Sequence, residues 1–217
     1  MTTAASLTPR STRAHCAACL RPQQTCICHW VATLPNQVEV LILQHPMEVN
    51  NAKGSARLLY LSLSSSRLEV GEAFAPERLQ ELLSPERRNV LLYPDTVEDK
   101  SLGLAAAQPF DAAWLHQPQL LRLVVLDGTW RKSRKMLYLN PALQSLPRLP
   151  LRDTPPSHYL IRKAHLPDQL STLEATVYAL AQLENDINKF NPLIDAFDGF
   201  VAQQAGYVAR PPSGDQF

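Results

Sequence analysis

Residues 121–126 are a short aliphatic run, broken only by Arg122, that passes without a spacer into Asp127-Gly128-Thr129-Trp130. A run of this length and character reads as a strand buried on both faces. Residues 38–43 and 89–93 repeat the pattern and are stopped by His45-Pro46 and by Pro94. Proline disfavours helix before it and cannot donate to a ladder. Between and after these runs the period changes. Residues 53–63 place Ala56, Leu59, Tyr60 and Leu63 at helical spacing, and residues 76–83 open on a proline suited to a first helical turn. Residues 131–138 read as helix, with Asn140-Pro141 as the stop. In 171–183, Glu174 stands three residues after Ser171, as in a capping box, and in 192–205 Leu193, Phe197, Phe200 and Val201 share one stripe. Residues 146–151 mix apolar side chains with Pro and Arg, an extended segment but a poor central strand. Strands alternating with helices predict an α/β fold with a largely parallel sheet and flanking helices.

All four cysteines fall within residues 16–28, as Cys16, Cys19, Cys26 and Cys28. Four thiolates on so short a loop can close a tetrahedral sulfur shell around zinc. The Cys16–Cys19 spacing is a familiar half of such a site, whereas Cys26–Cys28 is tighter than the usual other half. Structural zinc is the expected occupant. An iron–sulfur cluster uses the same ligands, and free or paired thiols are the third reading. Disulfides fit poorly with a chain that shows no secretory signal. His15 and His29 flank the cluster and can replace one sulfur, but four sulfurs suffice.

A length of 217 residues suggests one main domain with an appendage: a tail and small N-terminal cysteine knuckle over 1–35, the main domain over 36–210, and a tail over 211–217. Hydrophobic residues at 45% and charged residues at 19% describe a globular protein, not a disordered one. No apolar run approaches the roughly 20 residues that cross a bilayer, and residues 1–13 lack the apolar stretch of a secretory signal. A cytoplasmic protein without a membrane partner is expected, and nothing calls for an obligate protein partner. Net charge is only +1, yet residues 122–165 hold nine bases against Asp127 and Asp153. Residues 32–121 and 166–217 are acidic. Such asymmetry points to an anionic partner, with alternating solvated faces as the plainer reading.

In open parallel sheets, ligands gather beyond the carboxyl ends of the strands, and Asp127 to Trp130 occupy such a place. Gly128 lets backbone approach a ligand, Thr129 can cap the next helix, and Trp130 offers a face for an aromatic ring. Asp127 can accept a proton from a bound substrate. The same four residues also fit a simple turn into a helix, with Trp130 as a core anchor.

Six elements occur in a characteristic order. They are Cys16-Ala17-Ala18-Cys19 with Cys26-Ile27-Cys28, His45-Pro46-Met47-Glu48, Tyr93-Pro94, residues 126–130, Ser157-His158-Tyr159-Leu160-Ile161-Arg162 and Leu170-Ser171-Thr172-Leu173-Glu174-Ala175. Their order and spacing resemble the DTW-domain family, named for its aspartate–any–threonine–tryptophan element and similar to the bacterial tRNA-uridine aminocarboxypropyltransferases. The resemblance covers residue 16 to about residue 183. One departure is visible, since Asn51-Ala52-Lys53-Gly54-Ser55 stands where many relatives show Asn-Thr-Gly.

The resemblance implies a SPOUT-like sheet whose C-terminal part is knotted. It implies transfer of the 3-amino-3-carboxypropyl group of S-adenosylmethionine to N3 of a uridine in tRNA, in the variable loop for the bacterial relatives, with release of methylthioadenosine. Asp127 is the expected base or positioning group. Tyr93, Pro94, Leu126, Gly128, Thr129, Trp130, Ser171, Thr172 and Glu174 are expected around S-adenosylmethionine. Trp130 either stacks on a base or packs beneath its loop. RNA contacts are expected from His45, Arg131, Lys132, Arg134, Lys135, Arg162 and Lys163. Arg162 has the alternative of holding the donor's carboxylate, and His45 that of lining the cofactor loop or stabilising a strand-end turn. A SPOUT-type RNA methyltransferase and a non-catalytic, zinc-containing RNA-binding module are the alternative functions.

Overall fold

A computed structural model describes residues 14–94, 108–151, 154–155, 157 and 170–208. Four strands form one sheet: β1 (Glu39–Gln44), β2 (Ser66–Val70), β3 (Arg88–Leu92) and β4 (Leu121–Asp127). All pairs are parallel, and the order across the sheet is β2-β1-β4-β3. The anticipated runs became β1, β3 and β4. β2 carries Ser, Arg, Leu, Glu and Val at a half-exposed edge, so no apolar run announces it. Residues 146–151 are extended beside β3, where Leu91 N–H donates to Pro147 O at 2.8 Å and Leu149 N–H to Leu91 O at 2.9 Å.

The period-2 alternation of the strands divides the core. Val40, Ile42, Leu123 and Val125 face one layer, built by α1 (Ala56–Ser62), α5 (Thr172–Glu184) and α6 (Asn191–Val208). Leu41, Leu43, Val124 and Leu126 face the other, built by α2 (Pro76–Leu82), α3 (Trp130–Leu139) and the single turn α4 (Pro141–Gln144). Each fully buried Leu, Ile or Phe contributes about 1.5–3 kcal/mol of transfer free energy. β1 and β4 are buried along their whole length because both faces are covered. No described helix is long and apolar enough to cross a membrane.

Helix ends follow local chemistry. α1 begins at Ala56, three residues later than its periodicity predicts, because Gly54 N–H turns back onto Asn51 O at 2.8 Å. α5 starts in the expected capping box, with Ser171 Oγ accepting from Glu174 N–H and the Glu174 carboxylate accepting from Ser171 N–H. It stops where Asn185 takes the left-handed conformation at φ 50°. Thr129 occupies the N-cap position of α3, but its hydroxyl makes no capping bond.

The cysteine knuckle docks on α6 through residues spaced four apart. Trp30 lies against Gly199, where a Cβ would come within 2.2 Å of the indole Cζ3. Trp30 Nε1 donates to Gln203 Oε1 at 2.7 Å, Gln203 Nε2 to Cys26 O at 3.1 Å and Tyr207 Oη to Gln24 O at 2.8 Å. Cys19 and Ile27 thereby join the same apolar cluster as Phe197 and Phe200.

Candidate active site at the ends of the central strands

β1 and β4 are neighbours, yet the helices that follow them pack on opposite faces of the sheet. That divergence is a topological switch point, the place beyond the carboxyl ends of the strands where open parallel sheets bind ligands. Gln44 and Asp127, the last residues of β1 and β4, face one another there in register.

Asp127 is only 5% exposed, but its surroundings are polar. Oδ2 accepts from Gln44 Nε2 at 2.8 Å, and Oδ1 accepts from the Thr172 hydroxyl at 2.7 Å. Its carbonyl accepts His45 N–H at 2.9 Å. A carboxylate with donors on both oxygens is fixed in orientation. Strands β1 and β4 and the start of α5 thus converge on one acid.

On the other face of the sheet, three side chains form a layered stack. The Trp130 indole lies over the Tyr93 ring at 5.2 Å between centroids and 10° between planes. The Arg148 guanidinium sits 5.2 Å from the Tyr93 centroid, and Nη1 donates to Pro94 O at 3.3 Å. Tyr93 is buried, whereas Trp130 remains 44% exposed. Trp130 therefore covers the Tyr93 ring with one face while much of the indole meets solvent. Leu126 belongs to the apolar layer behind this stack, with Gly128 half-buried and Thr129 exposed.

The turn after β1 is built from charged groups. Met47 N–H donates to His45 Nδ1 at 3.1 Å, which leaves Nε2 as the proton-bearing nitrogen facing Glu72 Oε1 at 2.9 Å. Lys135 Nζ lies 2.9 Å from Glu72 Oε2, and Lys135 and then His45 hold the Glu72 carboxyl below its ordinary value. Buried Glu48 accepts from Lys132 Nζ at 2.7 Å and from Asn51 Nδ2 at 2.6 Å.

These pairings redistribute the basic stretch. Arg122 is 3% exposed and bound to Glu39 at 3.0 Å, so its charge serves the core. Lys132 and Lys135 are paired, His45 is buried and Arg134 is half-buried. Arg131 projects from the exposed side of α3. Arg162 and Lys163 lie outside the described residues. At the start of α5, Ser171 is committed to its cap. Glu174 is fully buried and also accepts from Ser157 Oγ at 2.9 and 3.0 Å.

The four cysteine sulfurs lie within 4.8 Å of one another. Cys16 and Cys28 are 3.6 Å apart, and Cys19 and Cys26 are 3.8 Å apart. Sulfurs about 2.3 Å from a tetrahedral zinc stand about 3.8 Å from each other, against about 2.05 Å in a disulfide. Backbone N–H groups of Cys19 and Ala18 draw the Cys16 thiol down to about 6, whereas burial and neighbouring sulfurs push Cys28 up to about 12. At Cys26 the Cys28 backbone N–H pulls downward, but burial and the adjacent sulfurs prevail and raise it. A cation among the four sulfurs would favour their thiolate forms. The donor set fits zinc.

Gln44, Glu72 and Arg148 escaped the sequence reading. A polar residue closing the apolar run of β1 was a legible signal for Gln44. Glu72 and Arg148 carried none, because their partners are distant in the chain.

The fold defines an α/β protein whose parallel sheet has a switch point between β1 and β4. Residues 13–205 match the DTW domain, and the chain belongs to the DTW domain family. It is 32% identical over 191 residues to tRNA-uridine aminocarboxypropyltransferase 2 of Drosophila melanogaster, covering 83% of this chain and 70% of that protein. The proteins of the same name from Mus musculus and Macaca fascicularis are 30% and 29% identical over 80% and 82% of this chain. The chain spans 58% and 59% of their respective lengths. No solved structure gives a significant match.

Proposed function

We propose that this protein transfers the 3-amino-3-carboxypropyl group of S-adenosylmethionine to N3 of a uridine in tRNA, releasing methylthioadenosine. The observation that carries the reading is the Asp127 carboxylate, oriented by Gln44 and Thr172 at the switch point of the sheet. The names of the similar proteins supply the chemical class.

On this reading, uridine N3 gives its proton to the Asp127 carboxylate and forms a bond to the γ-carbon of the aminocarboxypropyl group. The bond from that carbon to sulfur breaks, and its electron pair stays on sulfur as methylthioadenosine leaves. A positioned base is worth about 10²–10⁴ in rate, and alignment of N3 with the γ-carbon selects that carbon over the methyl group. Gln44 and Thr172 keep the acid aimed. The Trp130 face and the Tyr93–Pro94 step border the donor together with Leu126, Gly128 and Thr129. Ser171 and Glu174 act by fixing the start of α5, and Thr172 by its bond to Asp127.

Arg131 and Lys135 meet tRNA phosphates, joined by Arg134, Arg162 and Lys163, while Lys132 and His45 hold the turn after β1. Such contacts orient RNA without reading its sequence. A SPOUT-like, knotted chain path, a variable-loop uridine, structural zinc on the four cysteines and a cytoplasmic setting complete the proposal. The all-parallel sheet supports the first of these, and the sulfur spacing supports zinc.

Nucleoside mass spectrometry of tRNA incubated with the protein and S-adenosylmethionine tests it. The expected products are aminocarboxypropyluridine and methylthioadenosine. Adenosylhomocysteine in their place identifies a methyltransferase, and tight tRNA binding with no donor turnover identifies a binding module.

A further inference from the structure

Arg21 belongs to two structures at once. Its carbonyl accepts Cys16 N–H at 2.8 Å and so closes the turn that carries the first two sulfurs. Its guanidinium reaches the connection between β1 and α1, where Nη1 donates to Ala52 O at 2.7 Å and Nη2 to Gly54 O at 2.9 Å. The same guanidinium lies 5.1 Å from the ring centroid of Phe200, which is fully buried on α6. A planar fork held over an aromatic ring is a rigid clamp, and the two carbonyls it grips are two residues apart.

Both ends of the gripped connection touch the candidate site. Toward its start, Glu48 binds Lys132 on α3, the helix that begins with Trp130. At its end, Ser55 Oγ accepts Leu173 N–H at 3.3 Å, and the preceding residue is Thr172, which holds Asp127. Between them, Asn51 ties Glu48 to the turn, accepting Lys53 N–H on Oδ1 at 3.0 Å and Gly54 N–H on its carbonyl at 2.8 Å. The turn closes on itself in four residues and lies largely exposed. Arg21 ties it to the folded body from the knuckle side. This is also the segment where Ala52-Lys53-Gly54 departs from the expected family pattern.

We propose that Arg21 is a positioning residue. It transmits the rigidity of the cysteine knuckle to the connection between β1 and α1, and through Glu48 and Ser55 to the α3 start and the Thr172–Asp127 pair. The sulfur site then serves the reaction by fixing the backbone from which Arg21 extends. The kinetic part of this inference rests on the proposed transferase activity; the structural coupling does not.

Arg21→Ala and Arg21→Lys test it in the full chain. Lysine keeps the charge over Phe200 but is a point donor that cannot fork onto two carbonyls. Metal content by elemental analysis and thermal unfolding are measured first. Both variants should retain the wild-type metal stoichiometry, and Arg21→Lys should keep the wild-type transition. Hydrogen exchange over residues 51–56 should accelerate by about tenfold or more in each variant, while exchange over residues 16–28 stays unchanged. Chelation of the metal should accelerate the same 51–56 amides in the wild type but add little in Arg21→Ala, the non-additivity expected of two links in one chain. In turnover assays kcat should fall by about tenfold with the KM for tRNA unchanged.

Unchanged exchange over 51–56 in Arg21→Ala, or equal acceleration by chelator with and without Arg21, overturns the coupling. A loosened connection with wild-type kcat overturns the positioning role. If the wild type transfers no aminocarboxypropyl group, the proposed function has failed, and the exchange experiments still decide the coupling.

Discussion

The Thr172 hydroxyl donates to the Asp127 carboxylate at 2.7 Å across 45 residues of sequence. One helix N-terminus is thereby pinned to the end of the central strand. Two changes separate the chemical from the orienting contribution. Asp127→Asn keeps shape and loses the charge, so turnover should fall by about 10²–10⁴ while the thermal transition changes little. Thr172→Val strips one donor from a buried carboxylate, at a cost of about 1–3 kcal/mol in stability together with a smaller loss in kcat. Product quantification beside denaturant unfolding distinguishes the two patterns. Full turnover in Asp127→Asn would remove the acid from the mechanism.

Gly199 should not tolerate even one methyl group. Alanine in a helix ordinarily improves on glycine by about 0.5–1 kcal/mol. Here the added Cβ would meet the Trp30 ring at 2.2 Å, and that ring is tethered through Gln203. The sign should reverse, with a loss of about 1–3 kcal/mol from forced repacking. A lower unfolding midpoint and altered tryptophan fluorescence are the expected readouts. Stabilisation by Gly199→Ala would show that the knuckle is not seated against α6 at this point.

Cys28→Ser removes one of the four clustered sulfurs. Stoichiometric zinc should be lost, and with it part of the thermal stability, because metal affinity acts directly as folding free energy. Chelation of the wild type should reproduce the effect. Zinc retained at one equivalent in both Cys16→Ser and Cys28→Ser would refute a four-sulfur site.

Glu72 provides a pH dependence of defined sign. Lys135 and His45 hold its carboxyl below the ordinary 4.5. The folded state therefore gains stability from this group above 4.5 and loses it as pH falls through the lowered folded value. Lys135→Met should bring the carboxyl back toward its ordinary value, so the variant should be slightly less stable than the wild type near neutrality, converge with it at low pH and show a shallower acid limb. Urea midpoints measured across the acid range test this. An unchanged acid limb would mean that the pair at 2.9 Å carries no linkage.

The sequence went far on the strands and helices whose signals are local. The aliphatic runs became β1, β3 and β4, and the Ser171–Glu174 spacing became a closed capping box. The four cysteines came together as their clustering in the chain suggested. Local signals failed where burial was shared unequally. β2 lies at an edge with neither face fully covered, so its residues alternate without an apolar run. The basic stretch read as one electrostatic feature, yet Arg122 is an interior partner of Glu39 and Lys132 a tether for Glu48. Charge counted along a chain does not reveal which cations already have an acid.

By itself, the amino-acid order determined the α/β class, the four-cysteine cluster and the strand-end position of Asp127, because periodicity, spacing and turn residues act over a few neighbours. Only the tertiary structure decided the rest: the strand order, the switch point between β1 and β4, the Gln44 and Thr172 donors, the Arg148–Tyr93–Trp130 stack and the reach of Arg21. Each joins groups tens of residues apart, and such pairings arise only when packing the two apolar faces of the sheet fixes where each strand and helix ends.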